Sequence, residues 1–383
     1  YIIINIMKLL LLKESKNDNR TLLVPNDVKH LISKKIEIYF EPGVGQLCGF
    51  SDTDYISAGA NLIKNYKKQI NNFDIICCSG IITKSTLKKL KPEQIIWSYS
   101  NPVNQVKFLY NLISTKANLI SLKTIQWDFD SSIFNNIEQL KGKFAVSLAG
   151  YYLSKYTKNG LGKVLGKVNN FSSTVFVVGG AKFAGEAIIK SSLSLGSDVV
   201  VFDYDEQVVD SIKNNQQYQS LCLINKCTIS AFKYDFEKLF SMLKQADVVF
   251  CCSDNPNKPT HEIFNEKMIS TMKKGTVFVN LASDYGFASE TEKYQTKINK
   301  SVFNSSNVIH FNVTDVERYY PETFSNLISS LNTRYLEELS NNTFNLSSNP
   351  QIASAVITYK GHLTNETIAK ALTLKYTKLK DIK

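Results

Sequence analysis

Residues 174–203 limit the possible folds more than any other stretch. Thr174–Val178 is a short β-branched and aromatic run, and Gly179–Gly185 is a turn containing three glycines. Glu186–Leu195 has helical spacing, and Val199–Phe202 is a second apolar run closed by Asp203. Buried strand, tight turn, helix and a second buried strand ending in an acid make a βαβ unit of a parallel sheet. Such a turn suits a dinucleotide: glycines let the backbone approach the pyrophosphate, which sits at the helix N-terminus, and the acid holds the ribose hydroxyls. The best register is Gly180-Ala-Lys182-Phe-Ala-Gly185, with Asp203 eighteen residues further on. A register one residue earlier runs Gly179, Ala181 and Ala184. Lys182 stands at the middle glycine's position, where a side chain either crowds the pyrophosphate or neutralises it. Gly180, Lys182, Gly185 and Asp203 are therefore the candidate cofactor residues. The charge of Asp203 favours NAD(H) and disfavours NADP(H), whose 2′-phosphate it would meet.

Around this unit the chain alternates strands and helices. Expected strands are Lys8–Leu12, Ile36–Phe40, Ile75–Cys78, Ile95–Tyr99 and Leu119–Leu122, then Leu221–Ile224, Val248–Cys252, Thr276–Asn280 and Val308–Phe311. Expected helices include Asn26–Ser33, Gln105–Leu112, a longer crossing helix Lys143–Tyr156, Asp235–Lys244, Asn265–Met272, Glu322–Leu339 and a final Thr364–Leu374. This is an α/β chain with two Rossmann-like domains, a doubly wound parallel sheet in the second. With 383 residues there is length for two cores. The final helix has no strand partner of its own and is expected to return to the first domain.

The net charge of +11 comes from 45 Lys and Arg against 34 Asp and Glu, but Arg occurs only at Arg20, Arg318 and Arg334. Scattered lysines without clustered arginine argue against nucleic acid as a partner. The seven Cys form no CxxC and lie near no His pair, so buried thiols in a reducing compartment and no metal are expected. The apolar run Tyr1–Leu12 is broken by Asn5 and Lys8 and is too short to span a bilayer. Met7 is the expected natural start, with the first six residues an upstream extension, and the expected location is the cytoplasm.

Several segments match a known family. Lys13-Glu14-Ser-Lys16-Asn17-Asp-Asn19-Arg20, continuing to Pro25, resembles the KE-x-K-x-x-E-x-R…P signature of the alanine dehydrogenase and nicotinamide nucleotide transhydrogenase family. Pro42–Ala60, with Gly49-Phe50-Ser-Asp52-Thr-Asp54-Tyr55, is similar to its GFSDxDYxxAGA segment. Ala149-Gly150-Tyr151, Met272–Asp284 and Tyr359–Glu366, the last like YxGxLTNE, follow in order. The resemblance implies a discontinuous substrate domain of 1–140 with 321–383, an inserted dinucleotide-binding domain of 141–320 with its linking helix, a cleft between the two, NAD(H) as cofactor and a homo-oligomer.

Residue by residue, the resemblance makes Arg20 the group that binds a substrate carboxylate, which a guanidinium fork suits. It places Asp284 near the nicotinamide and Ser283 at the cofactor. The family's lysine falls on Gly80 and its catalytic histidine on Asn101, so the active site is divergent, with Arg20, Asp284 and Asn101 the catalytic positions. His30, His261, His310 and His362 occupy no matching place and are read as surface or capping residues. The implied activity is hydride transfer between nicotinamide and a small amino or keto acid, with a place in amino-acid metabolism. Gly45-Gln46-Leu47 and Ser98–Pro102 are more similar to the NAD(H)-binding subunit of proton-translocating transhydrogenase, which would need separate membrane subunits. A catalytically inactive nucleotide-binding protein is the third reading.

Overall fold

The computed structural model describes residues 6–14, 18–100, 102–125, 132–179, 183–252, 263–281, 288–293, 302–313, 316–342 and 344–382. The chain forms two compact units, Tyr1–Ile133 with Glu317–Lys383, and Phe134–Val316. In the first, β1 (Lys8–Leu11), β2 (Glu37–Phe40), β3 (Asn61–Leu62), β4 (Ile75–Cys78), β5 (Ile95–Ser98) and β6 (Asn118–Ser121) lie parallel in the order β3-β2-β1-β4-β5-β6. β4 and β5 are buried along their whole length, as strands covered on both faces must be. Leu10, Ile76, Ile96 and Leu119 pack there with Leu109 and Leu112 of the helix Val106–Thr115. The strand order reverses between β1 and β4.

The segment after β1 has no strand partner, so its backbone groups must be met in another way. The helix Pro321–Asn341 supplies them: Thr21 N donates to Ser325 Oγ at 3.0 Å and Val24 N to Ser329 Oγ at 2.9 Å. Asn332 bridges two elements, accepting from the Trp97 indole and donating to Leu22 O, each at 2.7 Å. The GFSD segment proves to be folding chemistry. Ser51 and Asp54 form a capping box for the helix Asp52–Ser57, and Gly59, at φ +96°, ends it.

In the second unit a small hairpin of β7 (Lys167–Val168) and β8 (Phe171–Ser172) precedes the main sheet. That sheet contains β9 (Thr174–Val178), β10 (Asp198–Asp203), β11 (Ile229–Lys233), β12 (Val248–Cys251), β13 (Val277–Asn280), β14 (Val302–Ser305) and β15 (Val308–Asn312). Its order is β11-β10-β9-β12-β13-β15-β14, and only the β14–β15 pair is antiparallel. The doubly wound reading of the sequence holds. Three local expectations do not. Leu221–Ile224 lies in the helix Gln216–Asn225, capped by Asn215 through Tyr218 N, and the third strand is β11. The crossing helix runs Ser132–Leu153 and stops before Tyr156. His310 is fully buried on β15, stacked on Phe303 at 4.7 Å, and burial lowers its pKa to about 3, so the imidazole is neutral.

After the helix Pro321–Asn341 the chain adds β16 (Val356–Tyr359) antiparallel to β6, and β17 (His362–Leu363) antiparallel to β16. Lys360 and Gly361, both at positive φ, make the two-residue turn that matches strand twist. The final helix is Glu366–Ala371, capped by Asn365. Among the described residues no helix is long and apolar enough to cross a membrane, and no three His, Cys, Asp or Glu gather as a metal site. All seven cysteines are free thiols.

Candidate active site

Open α/β sheets bind ligands outside the carboxyl ends of their strands, where the strand order reverses. In the second unit that point lies between β9 and β12, paired through Val178, whose carbonyl accepts Cys252 N at 3.0 Å. Gly179 ends β9 at φ +68° and donates its N–H to Phe202 O, a conformation that favours glycine. Gly180 and Lys182 lie outside the described residues. The chain reappears at Phe183, a non-glycine residue at φ +54°, and the helix Ala184–Ser194 starts at once. Gly185 is buried in its first turn. The crossing helix passes so near that a Cβ on Gly142 would stand 2.4 Å from Ala184 O.

Asp203 closes β10, 6% exposed, and one of its carboxylate oxygens accepts Asp205 N at 2.9 Å. At the end of β13, Asn280 Nδ2 reaches Glu292 at 3.3 Å, and Glu292 Oε2 also accepts Ala288 N at 2.5 Å and Ser289 N at 2.9 Å. Burial pushes the Glu292 carboxyl up to about 7, against those amides. Glu292 thereby ties together the two ends of the stretch 281–288. Ser283 and Asp284 belong to that stretch, outside the described residues. The Ser289-x-x-Glu292 spacing is a capping-box signal that sequence reading passed over.

In the first unit Arg20 is 3% exposed and bound to Asp18 side-on, Nε to Oδ1 at 2.8 Å and the terminal nitrogen to Oδ2 at 2.6 Å. Its guanidinium carbon stands 5.4 Å from the Phe324 ring and 6.0 Å from the Tyr99 ring. Arg318 approaches the same Asp18 carboxylate at 3.6 Å. Burial alone would raise the Asp18 pKa, but the Arg20 hydrogen bonds and charge, helped by Arg318, hold it below its ordinary value.

Glu14, four residues before Asp18, accepts the N–H groups of Ser79 and Gly80, the latter at 3.0 Å. Burial, followed by the Asp18 charge, pushes Glu14 up to about 7, against the pull of the two amides and Arg20. A Cβ on Gly80 would lie 3.1 Å from Glu14 Oε2 and 3.8 Å from Asp18 Oδ2. The position matching the family lysine is therefore beside this acid pair. Asn101 lies outside the described residues. Glu14 and Asp18 fall within the KE-x-K-x-x-E-x-R-like run but carried no role from the sequence, because their partners are backbone and side-chain groups brought in by folding.

A model of the alanine dehydrogenase/PNT N-terminal domain matches residues 10–133, and one of the C-terminal domain of the same proteins matches residues 145–366. Alanine dehydrogenase of Staphylococcus saprophyticus is 26% identical over 370 residues, 95% of this chain and 96% of its own length. That of Methanococcus maripaludis is 24% identical over 372 residues, 95% of this chain and 96% of its own. Two solved structures share the fold. An L-alanine dehydrogenase covers 96% of this chain and 99% of its own with a TM-score of 0.83 and 18% identity. A transhydrogenase from Sinorhizobium meliloti covers 94% and 99% with a TM-score of 0.74 and 17% identity. With the two domain models together spanning nearly its whole length, the chain belongs to the alanine dehydrogenase/PNT family.

Proposed function

We propose that the protein is an NAD(H)-linked oxidoreductase that moves a hydride between nicotinamide and a small amino or keto acid, in the cytoplasm and as a homo-oligomer. Asp203 carries this reading. A buried carboxylate ends the second strand of a βαβ unit whose turn opens on a positive-φ glycine, the chemistry that recognises an adenosine ribose diol. These residues fit NAD(H) better than NADP(H), because a 2′-phosphate would meet the Asp203 charge. Gly180, Lys182, Gly185, Asp203 and Ser283 hold the cofactor, which supplies the hydride when bound. Arg20 anchors the substrate carboxylate and Asp284 positions the reacting groups. Asn101 orients without titrating, since an amide exchanges no proton near neutrality. The curated relatives named alanine dehydrogenase, similar over almost the full chain, support an amino-acid substrate.

Gly80 and Asn101, where the family lysine and histidine fall, favour a second reading: transfer between two nicotinamides, which needs positioning but no general acid. In that case the partners are membrane transhydrogenase subunits. NADH titration by fluorescence, followed by NADH oxidation with a panel of 2-keto acids with and without ammonium, separates the readings. Keto-acid-dependent oxidation is expected. Binding without it, under every donor, would favour transhydrogenation, and failure to bind NADH by a folded protein would leave an inactive one.

A further inference from the structure

We propose that Glu14, at the reversal point of the first unit's sheet, is the group that takes and returns the proton in this reaction, an assignment that rests on the oxidoreductase reading. Glu14 leaves β1, and its two amide donors, Ser79 and Gly80, leave β4. β1 and β4 are the neighbours between which the strand order reverses, so this carboxyl stands where open α/β sheets take their ligands. Arg20, the proposed carboxylate anchor, is joined to the same cluster through Asp18. Gly80 brings no side chain to cover Glu14 on the side facing β4. The Ser79 hydroxyl next to it is fully buried without a hydrogen-bond partner among the described residues.

The charged and titratable groups about Glu14 are Asp18, Arg20 and Cys78, with Arg318 acting on Asp18. Burial first and then the Asp18 charge, against the pull of the Ser79 and Gly80 amides and Arg20, leave Glu14 titrating close to neutrality, where a proton shuttle works best. No described histidine offers an alternative. His30 is exposed and paired with Glu337, His362 is exposed on β17, and His310 is buried among aromatics in the other unit.

In reductive amination, Glu14 as carboxylate takes a proton from ammonium, and the freed lone pair attacks the keto carbon to form a C–N bond. A proton passes from nitrogen to the former carbonyl oxygen. Glu14 as carboxylic acid then protonates that hydroxyl, the C–O bond breaks with its electron pair leaving as water, and the nitrogen lone pair closes the iminium. Nicotinamide, when bound, would supply the hydride for that carbon, and a solvent proton completes the ammonium group. Overall, keto acid, ammonium, hydride and one proton give amino acid and water.

The test is steady-state NADH oxidation with 2-keto acids and ammonium between about pH 5.5 and 9, for the wild type, Glu14→Gln and Glu14→Asp, with NADH titration of each. Glu14→Gln is expected to lose on the order of 100-fold in kcat with NADH affinity retained and with the pH limb near neutrality gone. Glu14→Asp, which keeps a carboxylate for the amides, is expected to keep part of the rate with that limb displaced. A Glu14→Gln rate within about threefold of wild type overturns the proposal alone. Equal losses in both variants with the limb unmoved also overturn it, assigning Glu14 a purely structural role. A wild type that binds NADH but oxidises it with no keto acid overturns the amino- and keto-acid reading and this assignment with it.

Discussion

Glu292, 1% exposed, holds its proton more tightly when folded: burial pushes its carboxyl to about 7, against an ordinary 4.5. The folded state thus binds more protons than the unfolded chain between those values. Its stabilising effect is complete below about pH 4.5 and is lost as pH rises through about 7. Glu292→Gln should therefore show a shallower fall of Tm across that window than the wild type; identical slopes would contradict the assignment. Gly142 offers a steric counterpart. Alanine there would press its methyl on Ala184 O and stand 2.8 Å from Ala187 Cβ. A loss of about 1–3 kcal/mol in urea unfolding is expected, together with weaker NADH binding, since Ala184 opens the proposed dinucleotide helix. At this scale the sequence was legible where partners are local. Asp203 follows from the βαβ spacing and Glu292 was open to the same kind of reading through Ser289. Glu14 was not, because its donors lie 65 and 66 residues away in the chain.

The helix Pro321–Asn341 closes the first unit with polar side chains where an apolar face would be the common choice. Ser325, Ser329 and Asn332 satisfy a segment that no strand pairs with. Asn332→Leu leaves the Trp97 indole N–H and the Leu22 carbonyl buried without partners, at a cost of about 2–5 kcal/mol for the two. Chemical denaturation followed by the near-ultraviolet signal of Trp97 measures it; a loss under about 1 kcal/mol would show that the bridge is not needed. Apolar periodicity found most strands and helices. It failed at Leu221–Ile224, four apolar residues too few to separate strand from helix, where the Asn215 cap decides the outcome. It also passed over β16 and β17, whose turn at Lys360-Gly361 joins strands of four and two residues.

Across the molecule, the first five strands of each unit's main sheet share one order, 3-2-1-4-5 counted within that sheet, and the first unit is built from both ends of the chain. A chain ending at Tyr320 lacks the helix that serves Thr21–Val24 and the strand that pairs with β6. By hydrogen exchange, β4 and β5 amides in such a chain should lose their protection while β9 and β12 keep theirs. Retained protection in β4 would show that the amino-terminal part folds without the carboxyl end. The doubly wound class was legible because the central strands of both sheets, such as β4, β5, β12 and β13, are short and buried along their whole length. The stitching of the two ends was not, because it runs through serine and asparagine side chains that carry no periodic signal.

The split first unit also sets an order of events during synthesis. When β6 leaves the ribosome, the amides of Thr21 and Val24 still lack acceptors that lie some three hundred residues later in sequence. At about 5–20 residues per second, the amino-terminal part waits on the order of tens of seconds for its closing helix. The inserted unit, continuous from Phe134 to Val316, is fully synthesised before that helix.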